Sequence, residues 1–225
     1  MIGGQPQLVV LPEAGEVAQL VAELTEAAID RALAARGRCD LALAGGTTPA
    51  VAYELLGKIE RDWSGVHLWL GDERCVPHDH PDSNVLMITE RLSAPGAVFH
   101  WPPGEGTAEE RASAYAADFG DVVLDLIHLG MGPDGHTLSM FPGAPTLDDE
   151  SSTVLPVHDS PKPPPDRLTF SFGVARAAQA RLLVVTGAGK KEALTAVLGE
   201  PSHAVPSSLL PAAGTTVACD RAAAP

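Results

Sequence analysis

Val122-Val123-Leu124-Asp125-Leu126-Ile127-His128-Leu129, running into Gly130-Met131-Gly132-Pro133-Asp134-Gly135-His136-Thr137, is the stretch on which the fold turns. The apolar run reads as a buried strand. A glycine-rich turn comes directly after it, the junction from which α/β sheets are built. The turn contains G-x-G-x-x-G, the pattern of a dinucleotide-binding fingerprint. That pattern needs a helix directly after it, aimed at a pyrophosphate. Here Asp134 puts a negative charge where the pyrophosphate would lie, and Pro142-Gly143 leaves room for little more than one helical turn. The turn also stands past mid-chain rather than in a first βαβ unit. A nicotinamide dinucleotide is therefore not expected.

Read as chemistry, the same turn sets a carboxylate and an imidazole two residues apart. His136 has an ordinary pKa near 6.5, so it can be neutral at pH 7 and accept a proton. Asp134 can orient it or share its proton. Gly132 and its neighbours allow close backbone approach and supply N–H donors for a developing oxyanion. Taken alone, the turn is equally compatible with a histidine that only caps the next turn of chain.

Outward from this turn, strands are expected at 7–11, 40–44, 66–70, 98–101, 167–172, 181–186 and 215–219, with a short apolar piece at 154–157. Helices are expected at 13–35, 50–60, 83–92, 107–119, 174–179 and from 191 to 198. The first has Val17, Leu20, Val21, Leu24, Ala28 and Leu33 on one face and a stop at Gly37. The second has Thr48 as N-cap and Pro49 at its first position. The alternation predicts an open, mostly parallel α/β sheet flanked by helices, a Rossmann-like three-layer sandwich with small antiparallel additions. No composition break asks for a second domain, so residues 1–225 read as one.

The 225 residues are 45% hydrophobic but only 4% aromatic, so the core must come from Ala, Val and Leu. The formal charge is −14, which makes nucleic acid and anionic membranes poor partners. Any bound anion must be met by local cations, of which there are fifteen. Cys39, Cys75 and Cys219 are odd in number and widely spaced, which predicts free thiols in a reducing compartment. No signal peptide and no membrane span are evident. A soluble cytoplasmic protein is expected.

Four glycine-containing loops succeed strands, at 45–49, 71–77, 130–137 and 187–191. In parallel sheets such loops converge beyond the carboxyl ends of the strands. Gly45-Gly46-Thr47-Thr48 opens a helix and suits a phosphate, or is an ordinary capped turn. Asp72-Glu73-Arg74 suits an anion-gripping arginine held by acids, or a structural ion cluster. Ser160-Pro-Lys-Pro-Pro-Pro-Asp-Arg167 is a stiff segment presenting Lys162 and Arg167, or a solvated linker. Lys190 and Lys191 open a helix, where cations are mildly unfavourable. His78-Asp79-His80 lacks a third ligand, so no metal is expected. G-x-S-x-G and Walker A patterns are absent.

Several of these segments also resemble one family. Gly45-Gly-Thr-Thr-Pro49, Trp69-Leu-Gly-Asp-Glu-Arg-Cys-Val-Pro77, the run from Leu129 through Asp134-Gly-His136 to Phe141-Pro-Gly143, the Ser160–Arg167 segment, Thr186-Gly-Ala-Gly-Lys190 and Asp220-Arg-Ala-Ala-Ala224 occur in order. Together they resemble the 6-phosphogluconolactonases, sisters of the glucosamine-6-phosphate isomerase/deaminases. The sisters share Asp-Gly-His, but there it leads into an acidic, Asn-containing stretch, and they lack Ser-Pro-Lys-Pro-Pro. The resemblance implies hydrolysis of 6-phospho-D-glucono-1,5-lactone, with a phosphorylated amino-sugar isomerase or deaminase as the alternative. It implies that His136 activates water, Asp134 supports it, and Arg74, Lys162 and the Gly45, Gly46, Thr47, Thr48 loop hold the phosphate. It leaves Arg167 as a further phosphate ligand, and Asp72, Gly132 and Lys190 as other substrate-site candidates. No cofactor or metal is implied, and a monomer or small homo-oligomer is expected. The stretch from about 93 to 121 is shorter than in known relatives, which puts in doubt how that region covers the site.

Overall fold

The computed structural model describes residues 5–225. Seven strands form one sheet in the order β1-β10-β9-β6-β2-β3-β5, and every pairing in it is parallel. The strands are β1 (Gln7–Leu11), β2 (Cys39–Leu43), β3 (Val66–Leu70), β5 (Val98–Phe99), β6 (Leu126–Gly130), β9 (Ala180–Val185) and β10 (Thr215–Asp220). A smaller antiparallel sheet has the order β4-β8-β7 and is built from β4 (Asp72–Arg74), β7 (Val154–Val157) and β8 (Arg167–Phe170).

Helices cover both faces of the large sheet. One hydrophobic cluster joins α1 (Ala14–Arg36), α2 (Thr47–Leu56) and α3 (Asn84–Arg91) to Leu41, Leu43, Leu68, Leu126 and Val184. The other joins α4 (Ala108–Phe119), α5 (Phe172–Ala177), α6 (Lys191–Val197) and the small sheet to Ala42, Trp69, Ile127, Leu183 and Val217. Adjacent residues of each central strand thus enter opposite clusters, as the period-2 geometry of a strand requires. The three-layer α/β architecture read from the sequence is the one observed.

Local departures have physical causes. The strand before the glycine turn begins at Leu126 rather than Val122: its pairings with β2 and β9 both start there, and Val123 is exposed. On α1 the small residues Ala18, Ala22, Ala28 and Ala32 are buried, while Leu20, Leu24 and Leu33 flank the contact, so the helix can sit close to its neighbours. Gly37 ends α1 at φ 69°, in the left-handed region that glycine adopts freely. Helix α2 starts a turn earlier than expected. Gly46, at φ 114°, is its N-cap, and Thr48 makes no capping bond. The Thr48 hydroxyl lies 2.8 Å from that of Thr186 instead. No helix directly succeeds the 130–137 turn; the next helical piece is a single 3-10 turn at Pro145–Leu147.

Candidate active site

Because the large sheet is parallel, the loops after β2, β3, β6 and β9 leave at one edge. They border a cleft of about 180 Å³ whose lining includes Gly45, Gly46, Asp72, Arg74, Gly132, His136, Lys162, Arg167 and Lys190. Nine of the twelve residues expected from the sequence therefore meet in one place. The space is on the scale of one phosphorylated sugar ring. A larger cleft of about 800 Å³ lies between Leu183, Val217 and the 197–212 segment, but it contains none of the expected residues.

His136 is the one imidazole in the smaller cleft. Its Nδ1 lies 2.5 Å from Asp134 Oδ1, and its own amide donates to the same oxygen at 3.3 Å. Burial holds the imidazole below its ordinary pKa; Asp134 opposes this, and Lys162 adds to it. Burial resists ionisation of Asp134, but the His136 hydrogen bond and charge outweigh it and keep that carboxyl below the usual carboxylate range. An ionised carboxylate only accepts, so Nδ1 carries the proton and the Nε2 lone pair is free. Asp134 itself does not line the cleft; it stands behind the ring, at Nδ1.

The turn that bears the pair is closed by its backbone. Gly132 N donates to His136 O at 2.8 Å, and Gly135 N donates to Gly132 O at 3.1 Å. A β-carbon on Gly132 would stand 2.0 Å from His136 Nδ1, so only glycine fits. Gly135 sits at φ 77° and presses on Val205, while Ser207 donates to Gly135 O from both its amide and its hydroxyl. Leu138, a lining residue, is held at φ 56° against Gly71. Strain of this kind persists where the surroundings over-determine it.

The cations come from the small sheet and the loops. Strand pairing sets Arg74 directly opposite Arg167. Two like charges facing across an antiparallel pair are destabilising by themselves, and an anion between them removes the penalty. Asp72, on the same face of β4, offsets part of it; its Oδ2 accepts from Ser139 at 2.7 Å. Arg74 Nη1 donates to Asp82 O at 2.6 Å, and its Nε is buried with no protein partner. Arg167 is 5% exposed and donates to the carbonyls of Lys162, Pro163 and Pro164. It thus braces the strap that carries Lys162, whose side chain is exposed. Lys190 Nζ donates to Met131 O at 2.7 Å, and burial, with help from Lys162, lowers its pKa.

Thr47 and Thr48 do not line the cleft by their side chains. His78 and His80 serve the local chain: the first lies 2.8 Å from Pro102 O, and the second accepts from the Asp82 amide.

Sequence reasoning missed Asn84, and it expected Glu73 to hold the Arg74 side chain or to join an ion cluster. Glu73 is fully buried and accepts from Arg74 N, Ser83 Oγ, Asn84 N and Val85 N. It staples the Arg74 strand to the first turn of α3, where a carboxylate suits the helix dipole. Asn84 donates to Asp72 O and packs against Gly45, where a β-carbon would lie 2.2 Å from its Oδ1. The signal in the sequence was Ser83-Asn84, which read only as a helix start.

The layout defines a class: a parallel α/β protein with a carboxylate-backed imidazole and several cations at the carboxyl edge of its sheet. The description "Glucosamine-6-phosphate isomerases/6-phosphogluconolactonase" matches residues 12–218, and the chain belongs to that family. It is 35% identical to the 6-phosphogluconolactonase of Rattus norvegicus, with 86% of this chain and 80% of that protein covered. It is also 35% identical to the probable 6-phosphogluconolactonase 3, chloroplastic, of Oryza sativa subsp. indica over 87% of this chain, spanning 66% of the rice protein's length. The crystal structure of a 6-phosphogluconolactonase from Shewanella baltica superposes with a TM-score of 0.88 at 26% identity, covering 98% of this chain and 99% of that one.

Proposed function

We propose that this chain hydrolyses 6-phospho-D-glucono-1,5-lactone to 6-phosphogluconate, the second step of the oxidative pentose phosphate pathway. The observation that carries the reading is the His136–Asp134 pair, with Nε2 free, in the cleft that Arg74, Lys162, Arg167 and Lys190 also line. Family membership and the 6-phosphogluconolactonase relatives support it.

In this reading the phosphate takes the cations and the free amides at the start of α2, where N–H groups and the helix dipole favour an anion. Neutral His136 Nε2 removes a proton from water as its oxygen attacks C1. The tetrahedral oxyanion then expels the ring oxygen, and the same Nε2 returns the proton to it. A positioned base of this kind contributes about 10²–10⁴-fold. Asp134 keeps Nδ1 protonated throughout and stabilises the imidazolium between the two transfers. The phosphate lies far from C1, and its binding energy is used to align the ring with the water.

We read the chain, 1–225, as one domain; what supports this is that, among the described residues, both hydrophobic clusters pack on the same sheet. Cys39, Cys75 and Cys219 are free thiols, which accords with a cytoplasmic enzyme. Among the described residues no helix is long and apolar enough to cross a membrane. We place it as a monomer or small homo-oligomer.

The test measures acid release from freshly made lactone above the spontaneous rate, and ammonia release from glucosamine 6-phosphate. Lactone hydrolysis without ammonia is expected. Ammonia without hydrolysis would overturn the reading in favour of a deaminase.

A further inference from the structure

The chain has two tyrosines, Tyr53 and Tyr115, and both are fully buried, at 0% and 1% exposure. They come from helices on opposite faces of the large sheet, α2 and α4. Each gives its hydroxyl to the backbone of one residue. Tyr53 Oη accepts from Ala44 N at 2.9 Å and lies 3.2 Å from Ala44 O. Tyr115 Oη accepts from Leu70 N at 2.7 Å and donates to Leu70 O at 3.2 Å. Ala44 comes immediately after β2, and Leu70 ends β3. The next residues are the Gly45–Thr48 loop and the Gly71–Arg74 segment.

The sheet explains why a hydroxyl is needed there. Within a strand, alternate residues address alternate neighbours. Gly71 N donates to Leu43 O, so β2 and β3 meet at those two residues, and Ala44 and Leu70 face away from each other. On its far side β2 pairs with β6 only at Leu41 and Ala42. On its far side β3 pairs with β5 only at His67 and Leu68. Beside Leu70 the neighbouring strand β5 has ended at Phe99, and beside Ala44 the strand β6 continues to Gly130 but no longer pairs with β2. A phenol replaces that partner, with a lone pair for the N–H and, at Leu70, a proton for the C=O; the one Tyr53 proton is shared between Ala44 O and His128 Nδ1. Phenylalanine would fill the same volume and leave the Ala44 or Leu70 amide without a partner. Burial pushes both phenols upward, so each keeps its proton.

Tyr53 is itself fixed from behind. The Thr25 hydroxyl donates to Val21 O at 2.6 Å and so accepts from His128 Nε2 at 2.9 Å. That leaves His128 Nδ1 as an acceptor 3.1 Å from Tyr53 Oη. His128 is 1% exposed, and burial pushes its pKa down to about 4, so the ring stays neutral in this tautomer.

We propose that Tyr53 and Tyr115 are positioning residues that clamp the two strand ends bearing the phosphate-binding loops. The inference rests on the reading of those loops as a phosphate seat. It also gives α4, within the 93–121 region, a task at the site through Tyr115.

The test uses Tyr53→Phe and Tyr115→Phe in the full chain, each isosteric with the original ring. Amide exchange of residues 45–48 should quicken selectively in the first and that of 71–74 in the second, by about tenfold for one lost buried hydrogen bond. The Kd for inorganic phosphate and the KM for the lactone should rise about fivefold or more, with kcat within about threefold. A lowered Tm with unchanged loop exchange and unchanged phosphate Kd would overturn the proposal and leave the tyrosines as core residues. If the unsubstituted protein neither binds phosphate nor hydrolyses the lactone, the functional reading fails. The exchange experiment still decides the clamp.

Discussion

The turn at 131–137 and the strap at 158–166 border the same cleft, yet they are held in different ways. The turn is closed by backbone bonds between Gly132, Gly135 and His136, and Gly135 is gripped from outside by Ser207. The strap is held mainly by side chains: Arg167 on three of its carbonyls, and His158 between Asp166 and Glu109. One presents a half-buried ring with a fixed tautomer, the other an exposed lysine. The contrast fits a division of labour. Proton transfer needs sub-ångström placement, whereas capture of a phosphate by a point charge tolerates a mobile ammonium.

If that division holds, damage to the turn should strike kcat and damage to the strap should strike KM. Among variants that keep the imidazole, Asp134→Asn is expected to have the largest effect, a loss of about 10²-fold or more in kcat, because an amide can donate to Nδ1 and favour the wrong tautomer. Gly132→Ala should come next, at about 10²-fold in kcat, since its β-carbon would displace His136 and Asp134. Steady-state kinetics with a check on folding by circular dichroism measures both. Lys162→Ala should raise KM by about tenfold, one lost charge-assisted contact, with kcat little changed. Equal losses in kcat and KM from strap and turn variants would break the comparison.

The pH profile sharpens it further. The base must be neutral, so kcat/KM should rise with pH through the His136 pKa, at a midpoint below the ordinary 6.5. Asp134 raises that pKa and Lys162 lowers it. The acidic limb should therefore move down in Asp134→Asn and up in Lys162→Ala. Limbs that move together would contradict these electrostatics. The smallest effect is expected from His158→Gln. The His158 pKa is raised first by Asp166, so its contribution is present below the unfolded pKa and fades as pH rises through the folded one. The side chain is about half exposed, and solvent screens the pair. KM should change by less than about twofold, as titration of KM against pH would show.

How much of the molecule was legible in its sequence depends on how local each signal is. The parallel sheet was legible because apolar runs such as 66–70 and 181–186 alternate with long amphipathic segments. Convergence of the four loops is then a consequence of parallel topology alone. The Arg74–Arg167 pairing was not legible. Asp72-Glu73-Arg74 is charged throughout and reads as a loop, and it becomes a strand only because β8 lies beside it. The α2 cap was misread because Thr48-Pro49 is a good local start signal, while Gly46 at φ 114° and the Thr186 hydroxyl offer a better tertiary solution. The backbone partners of Glu73 and the two tyrosines were not legible for the same reason. Each acts on backbone that its position in the chain does not reveal.

In the proposed reading His136 supplies the proton transfer while other residues supply the binding, and His136→Ala separates the two. Lactone hydrolysis and the Kd for 6-phosphogluconate are measured on the same preparation. Hydrolysis should fall by about 10²-fold or more, with a Kd within about threefold of the unsubstituted protein. Hydrolysis at the unsubstituted rate would contradict the assignment of His136 as the base.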